Sequence, residues 1–134
     1  MTLYWFHLPA VFGGLAHFYF AFVEILGWTP ESVKAIAPSW FEGLKDAAAA
    51  KEQVVWARRF AFNMGVYNLM LAFGLYWIVW ADPSIGRQLA IFFGIWLLGA
   101  AAAALYIRVM PAFYTQGILG VLLLATAIWL RSPI

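Results

Sequence analysis

In a chain of 134 residues, 66% hydrophobic side chains against 10% charged ones leave too few charges to cover a water-soluble globule, so the sequence excludes a soluble fold. The formal net charge of +2 is spread over eight Lys and Arg residues too scattered to track a phosphate backbone, which sets nucleic acid aside as a partner. Cysteine is absent, and with it disulfides, thiolate catalysis, Fe–S ligation and thiolate zinc sites.

Leu3 to Trp28 is the first predicted span, longer than the roughly 20 residues that cross a hydrocarbon core. The preceding residues show no basic region and no small-residue cleavage site, so this span is expected to be retained. Pro9 and the Gly13-Gly14 pair are the places where it is expected to bend. His7 lies near its outer boundary and reads as interfacial. His17 and Glu24 are seven residues apart, nearly two turns, and therefore project from one face with Phe20 and Ala21 between them.

Trp28-Thr29-Pro30 ends that helix, because a residue before proline is pushed out of the α region. The segment from 29 to 59 is the one substantial polar stretch. Ser39 and Glu42 have capping-box spacing, and the run from Leu44 to Arg59 contains no helix breaker. A helix in this loop is expected to lead straight or with a slight bend into the second span, about residues 60–81. The residues from Asp82 to Arg87 read as a tight hairpin connector before a third span of about 88–109. The small-residue surface from Gly99 to Ala104 invites close approach by a neighbouring helix. Met110-Pro111 reads as the last turn, and the fourth span is about 112–130, with Gly117 and Gly120 as a second small patch.

The fold expected is therefore all-α: a four-transmembrane-helix bundle forming a single integral membrane domain over residues 1–134. Aromatic residues mark the ends of the apolar runs, at Tyr4, Trp5, Trp28, Trp56, Trp77, Trp80 and Trp129, as a membrane belt does, whereas mid-run Trp96 reads as a packing residue. With an even number of spans, the termini and the Asp82 to Arg87 hairpin share one side with Arg87 and Arg131. The other side holds Lys34, Lys45, Lys51, Arg58, Arg59 and Arg108, and six positive charges against two make it cytoplasmic. Both termini then lie on the non-cytoplasmic side. The localisation expected is the cell inner membrane, as a multi-pass protein.

Helical rise gives the polar groups depths. Glu24 and Asn63 each lie about 6 Å inside the cytoplasmic ends of their helices, and Gln116 about 8 Å inside from the same side. Tyr106 and Arg108 are read into the last turn of the third helix, and Tyr67 sits one turn deeper than Asn63. His17 and Asn68 are nearer the midplane. With Arg59, these nine residues form a predicted polar layer open to the cytoplasm, suited to ligand binding or proton relay. Carboxamides at such depths, whether or not they bind anything, also hold helices together at about 1 kcal/mol each. An intramembrane carboxylate is the strongest functional pointer among them.

His17, Glu24, the Trp28-Thr29-Pro30 exit, the Asn63-x-Gly65-x-Tyr67-Asn68 element, Ala72-x-Gly74-Leu75 and Gln116-Gly117 together resemble the pattern of a family of small four-helix bacterial membrane proteins known as a domain of unknown function. Met64 stands where that pattern has a glutamine, and Ile118 where it has a proline. The resemblance covers the chain from about Leu15 onward and implies the fold and the importance of the polar layer. It supplies no substrate, cofactor or catalytic residue.

Inventory narrows the chemistry. Both histidines lie on the first helix and cannot bracket a haem, and a carboxylate-bridged di-metal centre needs more acids and histidines than Glu24 and His17. The three lysines fall in the polar loop, away from any Schiff-base position, and no nucleotide fingerprint or nucleophile elbow is present. No metal, cofactor or catalytic residue is assigned, and an enzyme using Glu24 and His17 as acid and base ranks third. Two readings lead. In one, the polar layer binds or moves a small molecule, a lipid or a proton. In the other, the chain is an accessory subunit that packs through its small-residue faces against copies of itself or a larger membrane complex.

Overall fold

The computed structural model describes residues 2–27, 29, 47–130 and 132–134. Four helices organise them: α1 (His7–Leu26), α2 (Ala47–Trp80), α3 (Pro83–Tyr106) and α4 (Met110–Trp129). All four are long and apolar enough to cross a membrane. The 20-residue helices α1 and α4 each reach about 30 Å, the thickness of a bilayer's hydrocarbon core. The Ser39–Glu42 capping box lies outside the described residues, as do Trp28 and Pro30.

Local sequence explains where the helices stop. Pro9 falls within the first turn of α1, where its missing N–H would have had no intrahelical partner, so the helix runs unbroken from His7 through Pro9 and the Gly13-Gly14 pair. Pro83 likewise begins α3, which shortens the connector after α2 to Ala81 and Asp82; the expected loop through Arg87 is already helix. The turn between α3 and α4 is Ile107 to Val109 rather than Met110-Pro111, and α4 takes Pro111 into its first turn. Arg108 adopts a left-handed φ of 59° in that turn, which places it beyond α3 and not in its last turn. Helix α2 is continuous from Ala47 to Trp80, 34 residues or about 51 Å, so the polar run before the second span feeds straight into it.

The helices run up, down, up and down. Gly65 of α2 faces Ile25 of α1 while Gly13 faces Leu75, so residue numbers rise on one helix as they fall on the other. The same inversion relates α3 to α4 through Gly94 with Leu124 and Gly117 with Ala101. Most packing is within the α1–α2 and α3–α4 pairs, with smaller α2–α3 and α1–α4 contacts closing the bundle. A methyl on Gly94 would lie 2.7 Å from Leu124 Cγ, and one on Gly120 would lie 3.0 Å from the Gly94 carbonyl oxygen. These two glycines let the α3 and α4 backbones meet, as small residues do between membrane helices. Of the expected small-residue surface, Ala101 and Ala104 are buried on the stripe that continues Gly94 and Leu97, while nothing among the described residues comes within 4 Å of a methyl on Gly99, which lies off that stripe.

The apolar core occupies the half of the bundle nearest the chain ends. Phe6, Ala10, Leu75, Ile78, Ala90, Leu97, Leu119, Leu123 and Ala127 form one buried cluster. The ends themselves are tied together: Ile134 N–H donates to Leu3 carbonyl at 3.0 Å, beside an antiparallel bridge between Tyr4 and Pro133. Arg87 Nε–H donates to the Ala127 carbonyl at 2.7 Å, satisfying a last-turn acceptor of α4 and placing a cation at the helix's negative end. Outward faces carry Phe12, Phe22, Phe73, Trp77, Trp80, Val121 and Trp129, an apolar exterior fitted to lipid. Trp96 joins them at 57% exposure, beside Phe92, and is not the packing residue its mid-run position suggested.

Candidate functional site

The far half of the α1–α2 pair is polar inside. On α2 the buried stripe is Ala61, Gly65, Asn68, Ala72, Leu75 and Ile78, spaced by three and four, so a single face of small and apolar residues carries one carboxamide inward. On α1 the facing stripe is Ala10, Gly13, Gly14, His17 and Ala21, continued by half-buried Glu24. Gly65 sets the separation: a methyl there would lie 2.6 Å from Ile25 Cγ1 and 3.2 Å from Glu24 Cβ. Small residues on both stripes thus bring the two backbones close enough for short polar side chains to meet.

Asn68 joins both α1 groups. Its Nδ2 donates to Glu24 Oε2 at 2.6 Å, and its Oδ1 lies 2.7 Å from His17 Nδ1. Glu24 and His17 are about 10 Å apart along the axis, but helical side chains lean toward the N-terminus, so the long glutamate arm reaches back toward His17 and one carboxamide spans the rest. His17 is fully buried at 0% exposure, with its ring edge-on to Phe20 at 5.7 Å. Its Nε2 has no hydrogen-bond partner among the described residues. A buried polar atom left so costs about 1–3 kcal/mol, a cost that the fold carries at this position.

The other residues of the expected layer are placed elsewhere. Asn63 and Tyr67 are exposed, because they fall off the buried stripe of α2 although their depth suits it. Gln116 is half-buried on α4. Tyr106 is 89% exposed at the end of α3, and Arg108 is exposed in the turn after it. Arg59 is exposed and stacks its guanidinium 5.2 Å from the Trp56 ring. The partner of Glu24 is therefore Asn68, about 7.5 Å deeper than Asn63, and not the Asn63 or Gln116 that equal depth favoured.

His7, at the start of α1, is buried within the chain, with Nδ1 accepting from the Tyr4 backbone N–H at 3.2 Å and its ring edge-on to Phe6. Among the described residues no three His, Cys, Asp or Glu side chains gather closely enough to hold a metal ion. What the arrangement offers is a carboxylate, a carboxamide and an imidazole in series, held by two helices and closed to bulk solvent at the imidazole.

A comparison with protein families matches residues 11–128 to the family described as "Protein of unknown function (DUF1304)". No curated protein and no solved structure matches the chain.

Proposed function

We propose, for a chain that belongs to the DUF1304 family of proteins of unknown function, that it is a small-molecule-binding protein of the cell inner membrane, with Glu24, Asn68 and His17 as its site. The observation that carries this reading is the buried His17 Nε2, which like His7 Nε2 has no partner among the described residues, and which alone of the two ends a hydrogen-bonded series that begins at an intramembrane carboxylate. Residues serving only as helix glue would be expected to satisfy one another fully, since unpaired polar groups in lipid are costly. Glu24 lies two residues before the end of α1, about 3 Å along the axis, so a ligand approaches from that end. The excess of Lys and Arg on that side supports a cytoplasmic entrance.

Binding is favoured over proton conduction by the middle member. Asn68 has no readily exchanged proton to pass on, so it fixes the geometry of Glu24 and His17 without wiring them together.

The second reading, an accessory subunit or homo-oligomer, is favoured by a different observation. Gly99, Ala102 and Ala103 are exposed on α3, leaving a smooth strip that none of the described helices covers. Native mass spectrometry after mild-detergent extraction separates the two. A small retained mass on the chain supports the site; a fixed second polypeptide with no small mass supports the subunit.

A further inference from the structure

Hydrogen-bond polarity at Asn68 determines which kind of ligand the site can take. Its Nδ2 is committed to Glu24 Oε2, so the atom facing His17 is the carboxamide oxygen. That oxygen can only accept, and the proton between the two side chains must therefore sit on His17 Nδ1. In a neutral imidazole protonated at Nδ1, the other nitrogen carries a lone pair and no hydrogen. His17 Nε2, enclosed and without a protein partner among the described residues, is an acceptor awaiting a donor.

Glu24 adds acceptors of its own. A carboxylate has two oxygens with about four lone-pair sites, and Asn68 uses one of them at Oε2. An anion entering here meets a carboxylate and an imidazole lone pair, both repulsive. A quaternary cation brings the right charge but no N–H to donate to the ring nitrogen.

Resting on the reading of these residues as a binding site, we propose that the site takes a small ligand presenting N–H donors on a positive centre, a primary ammonium, with its charge offset by Glu24 and one N–H directed at His17 Nε2.

The second histidine supplies an internal control. His7 Nδ1 accepts a backbone N–H from Tyr4, so in its neutral form the proton sits on Nε2. The only two histidines of the chain thus hold opposite tautomers. Nitrogen-15 NMR of histidine-labelled full-length protein in lipid bilayers reads both directly, with assignment from either His7→Gln or His17→Gln, whichever folds. The expected spectrum shows His17 protonated at Nδ1 with a lone pair at Nε2, and His7 the reverse. Methylammonium shifts the His17 Nε2 resonance toward a hydrogen-bonded position, and tetramethylammonium and acetate at equal concentration do not. Glu24→Gln weakens the methylammonium response about tenfold or more, the loss expected for a charged partner.

A His17 protonated at Nε2 overturns the proposal at its premise. A response to acetate in place of methylammonium overturns the donor class while leaving a binding site at these residues. A correct tautomer with no response to any probe overturns the proposal and counts against the binding reading as well.

Discussion

Glu24 and His17, nearly two turns apart on α1, are joined by a single side chain from α2, the Asn68 carboxamide, which donates to one and accepts from the other. Removing it leaves two polar groups facing each other across a gap in a low-dielectric interior. Asn68→Ala is expected to lower stability by about 1–2 kcal/mol, the upper range for a polar contact between membrane helices. Asn63→Ala, at an exposed position on the same helix, should stay within about 0.5 kcal/mol. Thermal unfolding of both variants in the same detergent checks the contrast, and equal losses would contradict the placement of the site.

The backbone contact between α3 and α4 makes a second pair of substitutions informative. Gly94→Val puts a side chain where a methyl already meets Leu124 Cγ at 2.7 Å, and overpacking of that kind costs about 1–3 kcal/mol. A methyl on Gly99 meets nothing within 4 Å among the described residues, so Gly99→Val should leave the fold intact. If the α3 strip meets another chain, Gly99→Val disrupts that assembly alone. Unfolding temperature and native mass, measured together on each variant, separate the two effects.

Arg87 is predicted to act as a clamp between α3 and the end of α4. Arg87→Ala removes its bond to the Ala127 carbonyl and should cost about 1 kcal/mol, with local opening at the C-terminal end of α4. Hydrogen exchange of the last turn of α4 reads this directly, and unchanged protection there would exclude the clamp.

Membrane orientation follows from charge and is open to a simple labelling test, since the chain has no native cysteine. Ser84→Cys should react with a membrane-impermeant maleimide added to intact cells, and Ser39→Cys should not. The reverse labelling would place the Glu24 end of α1 on the outside.

The four spans were legible because lipid imposes a crude and strong requirement, about 20 apolar residues each, and aromatic and proline positions mark their ends. Glu24 and His17 were legible as a pair because both lie on one helix, where spacing alone fixes the shared face. Their partner was harder to see. Depth along the axis selected Asn63, but facing is set by rotation about the axis, and the step of five from Asn63 to Asn68 turns them about 140° apart. The signal that picks Asn68 is its company: Ala61, Gly65 and Ala72 lie on its stripe, and small residues at that spacing mark the side another helix approaches. Arg108 was misplaced because the left-handed residue that follows α3 has no side-chain signature, whereas Tyr106 does close α3 but is turned outward.

Ligand retention at Glu24 is the property on which the proposed site depends. Wild type, Glu24→Gln and Asn63→Ala should be extracted side by side from native membranes in mild detergent and weighed intact by native mass spectrometry. Glu24→Gln keeps the shape of the side chain and one oxygen to accept from Asn68 Nδ2, while it removes the charge and turns the other oxygen into an NH2 donor. The expected result is a small non-covalent mass on wild type and Asn63→Ala that is lost from a folded Glu24→Gln variant. A wild-type chain carrying no such mass, or a Glu24→Gln chain that keeps it undiminished, would contradict the assignment of this site.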